Sequence, residues 1–308
     1  MSSTLEVIRR PAPTADYTAR SRFRPIGIAL GLLGLAGATV ALVANAVAAG
    51  DLDQSTLAWS FGAAIASFAT AKLGIAVVLM GIIVRLWMRV DSVKAVLSHL
   101  KAEAEPGVEP RYGTIDTRFG KAIASPRTPE PLLIHRMARV VYAPMLAMGA
   151  MAVAVGLVLS VVQARTSNAS DFETLGAWVQ GLQFLGEALI LSGISFLLGT
   201  ILASLRAGGG EVQESLGVVV KTLRMPLAAK LFIGLMMAGL MVGVAQFALY
   251  LVAVYADVNT AAWFAVLGPL RELSLGIILS SVVLALFAIG TVLGFQFDRI
   301  KDIIVSGR

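Results

Sequence analysis

Four ionisable residues lie inside stretches that are otherwise almost purely apolar: Lys72, Glu187, Arg271 and Glu272. Two acids and two bases in such a setting can do one of two things. They can pair as ions and hold helices in register, or they can line a path for a proton, an ion or a small polar solute. Their spacing brings them to one depth. Glu187 and Glu272 each follow a tryptophan, Trp178 and Trp263, by nine residues. That is about 13.5 Å of helix, near the middle of a hydrocarbon layer roughly 30 Å thick. The matching position after Trp59 is Phe68, and Lys72 lies one turn further on the same face.

Arg271 and Glu272 are neighbours in sequence, about 100° apart around a helix, so each is expected to need a partner from another helix. One neutral arrangement pairs Glu187 with Arg271 and Glu272 with Lys72. Pro269 removes a helix hydrogen bond just before this point and predicts a kink. Ser192, Ser195 and Ser274 are placed to satisfy freed polar groups. The four charges sum to zero, which favours structural pairing. A conduction path usually leaves one sign in excess, so transport is the alternative.

Other chemistry is thinly represented. The chain has no cysteine, which removes disulfides, thiolate metal sites and cysteine nucleophiles. Its two histidines, His99 and His135, fall in a long polar loop rather than in a span. No His-Glu-x-x-His pair is present, Ser195 lacks the Gly-x-Ser-x-Gly frame, and "AGGGEVQES" lacks the ending of a phosphate loop. The expectation is a protein that is not an enzyme, with no catalytic residue, no metal and no cofactor. The eleven methionines read as packing filler.

The elements that position these residues follow from composition. The chain is 57% hydrophobic and 14% charged, against roughly 25% charged in ordinary globular domains. Six segments reach the roughly 20 apolar residues a spanning helix needs: 25–49, 58–84, 140–163, 176–205, 228–256 and 262–296. Three loops, "AGDLDQSTL", "QARTSNASDFETLG" and "YADVNTA", contain one basic residue between them, Arg165. Apart from Lys72 and Arg271, every other Lys and Arg lies in the N-terminal tail, in 85–139, in 206–230 or at the C-terminal end. That asymmetry predicts both termini and both long loops in the cytoplasm. The N-terminal segment is too long and polar for a signal-peptide n-region, so the first span is expected to remain as an anchor.

Each Trp-led span then runs into a short amphipathic stretch, starting at Asp91, Glu214 and Asp298, with Trp-to-acid separations of 32, 36 and 35 residues. The chain therefore reads as three copies of one unit. The expected organisation is a polar tail 1–24, a hairpin unit 25–101, a Pro/Gly/charge-rich loop 102–138, a second unit 139–224 and a third 225–308. The fold class expected is an all-α integral membrane protein, six transmembrane helices as three tandem hairpins. Each hairpin is followed by a cytoplasmic amphipathic helix at 91–101, 214–224 or 298–305. Val93, Val96, Leu97 and Leu100 share one face of the first, and Leu216, Val219, Val220 and Leu223 one face of the second. "AGGG" at 207–210 reads as a helix stop and hinge. Trp59, Trp178 and Trp263 read as interfacial aromatics.

The function expected is a non-catalytic membrane subunit or scaffold with a paired intramembrane charge cluster. The expected partners are the lipid bilayer and a protein or second copy docked through the spans and amphipathic helices, with no nucleic acid. The Ala-rich composition suits the plasma (inner) membrane of a bacterium.

Overall fold

A computed structural model describes residues 22–51, 53–97, 112–130, 133–256 and 260–306. The N-terminal tail, His99 and Leu100 lie outside them. Six long helices dominate: α1 (Phe23–Asp51), α2 (Gln54–Leu97), α3 (Leu133–Ala164), α4 (Ala169–Ser215), α5 (Leu227–Tyr255) and α6 (Thr260–Ser306). All six contain stretches long and apolar enough to cross a membrane. They pack as the expected hairpins, α1 on α2, α3 on α4 and α5 on α6.

The hairpins are not equivalent. α4 touches α2, α3, α5 and α6. Its most apolar window is 83% buried, whereas the others are 22–33% buried. α4 is thus the axis of the bundle, while α1 and α5 present most of their apolar surface outward, as lipid-facing helices do. Helix starts are locally encoded. The Asp53 carboxylate accepts from the backbone N–H groups of Ser55 and Thr56 and from the Thr56 hydroxyl, capping α2. The Thr56 hydroxyl and amide bonds hold that carboxyl below its ordinary pKa. Asn168 caps α4 by accepting from the Ser170 amide at 3.0 Å.

Glycine sets the α1–α2 approach. A Cβ on Gly34 would lie 2.4 Å from the Ala71 backbone nitrogen and 2.6 Å from the Ser67 carbonyl. Backbones in contact gain dispersion where lipid offers no hydrophobic drive.

Four expectations need correction at one end of the bundle. First, 102–138 holds a β-hairpin, β1 (Gly113–Thr117) and β2 (Gly120–Ser125), which β3 (Val220–Leu223) extends into an antiparallel sheet of order β1-β2-β3. Among the described residues the fold is therefore six helices plus a small sheet. Second, 214–224 is not an amphipathic helix. Gly217 takes φ +71° and ends α4. The Gly217 amide donates to the Glu214 carbonyl and the Val218 amide to that of Gln213, the pattern of a Schellman cap. The following β-branched run Val218-Val219-Val220 then favours a strand. Val220 and Leu223 are buried in it.

Third, 91–97 and 298–305 continue α2 and α6 without a break, so no separate interfacial helix forms there. Of the first apolar face, Val93 is exposed, and the side chains of Val96 and Leu97 lie outside the described set. Fourth, α4 runs straight through Ala207–Gly210. The three glycines of this stretch admit neighbours instead of stopping the helix: a Cβ on Gly209 would sit 2.1 Å from Gln296 Oε1.

Gly34→Val should destabilise the α1–α2 pair by roughly 1–3 kcal/mol, the usual range for overpacking. Gly31→Ala is the control, because nothing lies within 4 Å of its Cβ position. Thermal unfolding in detergent should lower the midpoint for the first variant and not for the second.

Candidate functional site

Glu187 sits at the centre of α4, its side chain 2% exposed. A carboxylate so placed must find charge or donors from neighbouring helices, because desolvation is otherwise too costly. It finds two cations. Lys72 Nζ on α2 binds Oε1, and an Arg271 terminal nitrogen on α6 binds Oε2 at 2.8 Å. One carboxylate therefore joins the second helix of all three hairpins.

Arg271 is held by more than this bond. Its guanidinium stacks 4.0 Å from the centroid of the Phe184 ring, one turn before Glu187 on α4. Phe184 is in turn braced by Phe61 and Tyr250. Arg271 Nε is sealed from solvent without a hydrogen-bond acceptor, 3.9 Å from Glu272 Oε1.

The expected pairing is half right. Glu187 does meet Arg271, but Lys72 also goes to Glu187 and not to Glu272. Glu272 is 73% exposed on the outer surface of α6, with Arg271 as its nearest cation. The 100° step between successive residues explains this: once Arg271 turns inward to Glu187, Glu272 is carried outward. The buried set is consequently two cations around one anion.

The serines divide. Ser274 donates to the Gly239 carbonyl of α5 at 2.9 Å. Ser195 donates back to Leu191 and lies 3.5 Å from the Ser281 hydroxyl. Ser192 is buried without a partner. α6 is continuous through Pro269. Trp59 is exposed, Trp178 packs edge-on to Phe247 and Tyr255, and Trp263 packs against the cluster formed by Ile65, Phe184, Tyr250 and Leu267.

Sequence reasoning misses the glutamines. Gln183 Nε2 bonds the Gly62 carbonyl of α2 at 3.1 Å, and Gln246 Nε2 bonds the Leu267 carbonyl of α6 at 3.0 Å. At the sheet end, Gln213 accepts from the Lys221 amide and from Arg299 Nε, and donates to the Lys221 carbonyl. It fastens β3 and α6 to α4. Burial, with the nearby Arg299 charge, holds the Lys221 ammonium below its ordinary pKa. His135, expected in a loop, is buried in the first turn of α3. The available signal is α4 itself, which carries Gln180, Gln183, Glu187, Ser192 and Ser195 within one span.

Away from the sheet, Gln54, Gln163 and Gln180 line an open cavity of about 280 Å³. It stops at Gln180, seven residues, or about 10.5 Å of helix, short of Glu187. Among the described residues no three His, Asp or Glu side chains come together as metal ligands.

Compared with protein-family models, curated proteins and solved structures, the chain matches none.

Glu187→Gln leaves two cations without their shared anion and should cost about 3–5 kcal/mol. Glu272→Gln removes an exposed, loosely paired group and should change stability by about 1 kcal/mol or less. Chemical unfolding in mixed micelles separates the two expectations.

Proposed function

We propose that this chain is a non-catalytic membrane subunit or scaffold, in which the ion cluster at Glu187 locks three hairpins into one rigid body. The observation that carries this reading is the sealing of Glu187, with both oxygens occupied by cations from two other helices. A group that relays protons or ions must exchange partners and meet water. Here the outer cavity ends two turns away. The rigid bundle would present the sheet, with its flanking ion pairs Lys94–Glu211 and Arg118–Asp298, as a platform at one end. The distribution of basic residues supports a cytoplasmic position for that platform and for both termini, in a plasma membrane.

A second reading, passage of a proton, ion or small polar solute, has two observations in its favour. With Glu272 turned outward, the cluster of Lys72, Glu187 and Arg271 holds one positive charge in excess. Gln183 Oε1 is buried without a donor, one turn below the cavity's Gln180 and one turn above Glu187. A transient water there would extend the polar line toward the cluster.

The test is flux in liposomes. Under an imposed potassium diffusion potential, a pH-sensitive dye inside vesicles should report the same proton leak with the protein as without it, and the same again with Glu187→Gln. A leak that scales with protein and disappears in the variant would remove the scaffold reading and install the transport one.

A further inference from the structure

Glu187 is covered by Lys72 and Arg271, whereas the Glu272 side chain is left 73% exposed. The neighbouring helix fixes its depth. Gln246 of α5 bonds the Leu267 carbonyl, and Ser274 bonds the Gly239 carbonyl of α5. Glu272 therefore lies level with the stretch from Gly239 to Gln246, the middle of the apolar helix Leu227–Tyr255. A carboxylate turned outward at that level meets hydrocarbon, which is costly unless another helix answers it.

The complementary charge is carried by the same chain. Lys72 and Arg271 share one anion, which leaves their cluster one positive charge in excess, and their side chains stay 23% and 19% exposed. The contact of Glu272 with its own cluster is a 3.9 Å approach to Arg271 Nε. Copies of one chain insert with the same orientation, so Glu272 of one copy is level with Lys72 and Arg271 of another. In a two-fold pair each copy gives a carboxylate and receives one.

The face of α6 that carries Glu272 admits a close neighbour. Gly276 and Ser280 follow at four-residue steps, and both are exposed. Nothing lies within 4 Å of a Cβ on Gly276, and the Ser280 hydroxyl is turned back onto the Gly276 carbonyl. Small residues so spaced let helix backbones approach in a bilayer.

We propose that the chain forms a two-fold dimer through this face of α6, in which Glu272 of each copy completes the Lys72–Arg271 cluster of the other. The inference rests on the cluster being structural, and it names a second copy as the partner of the membrane subunit. A basic helix of another protein would serve the same carboxylate but would leave the excess cation of the cluster unanswered.

The test is energy transfer between donor- and acceptor-labelled full chains in liposomes, diluted with lipid. The chain has no cysteine, so Ser167→Cys in the exposed connection between α3 and α4 gives one labelling site. The expected result is transfer that falls on dilution as a dimer dissociates, with a dissociation constant about tenfold higher for Glu272→Gln. Glu272→Lys adds a third cation and Gly276→Leu holds the backbones apart, so each should weaken the dimer at least as much. Oxidation should cross-link copies carrying Leu279→Cys, exposed beside Ser280, and not copies carrying Val43→Cys on the exposed face of α1. A monomer at every dilution overturns the proposal. So does a dimer that ignores the Glu272 changes, or one that cross-links through Val43→Cys alone. Any of these failures, with the proton leak unchanged by the protein, leaves the scaffold reading standing. A leak that is lost in Glu187→Gln removes that reading and this proposal with it.

Discussion

A carboxylate cannot be left alone in an apolar interior, and the arrangement of this bundle follows from that constraint on Glu187. The side chain is carried by α4 and answered by Lys72 of α2 and Arg271 of α6. Each partner comes from a different hairpin. In hydrocarbon there is little hydrophobic drive to press hairpins together, so directional polar contacts and close packing must do it. One doubly paired anion supplies a fixed point common to all three.

That fixed point explains why the hairpins, similar in plan, are unequal in place. The helix bearing the acid has to be the one that lipid does not reach, and among the described helices α4 is the one with most of its apolar window buried. Shielded in this way, α4 can also carry the polar contacts that a lipid-facing helix could not. Gln183 reaches α2, Ser195 reaches α6, and Gln213 grips β3 and Arg299 beyond the spans. α1 is apolar without a charge in its interior, and its glycines seat it directly on the α2 backbone.

Much of this can be read from the sequence, for identifiable reasons. Span number and hairpin pairing follow from apolar length and short connections, which act locally. The meeting of Lys72, Glu187 and Arg271 at one level follows from their similar steps of 13, nine and eight residues after Trp59, Trp178 and Trp263. Partner choice does not follow, because it depends on how each helix is rotated about its axis. Sequence places Arg271 and Glu272 side by side, but only packing decides which of them faces α4. The end of α4 escapes a sequence reading for a different reason. The apolar positions Leu216, Val219, Val220 and Leu223 fit a helical face, yet Gly217 in the left-handed region and the valine run after it turn the chain into a strand. The glycine run at 208–210 looks like punctuation, whereas its meaning lies in Val90, Gln296 and Thr128, side chains remote in sequence that pack where a Cβ would be.

A lock and a relay make opposite demands on the same three residues. A lock needs the pairs to be strong, dry and mutually dependent. A relay needs at least one of them to let go. The coupling free energies between Glu187 and its two cations are therefore the most direct measure of the account. Double-mutant cycles combining Glu187→Gln with Arg271→Met, and with Lys72→Met, measured by reversible unfolding in mixed micelles, give them. The account predicts that each double variant is less destabilised than the sum of its singles by more than about 1 kcal/mol. Additive effects, within about 0.5 kcal/mol in both cycles, would mean that the cluster does not hold the hairpins together.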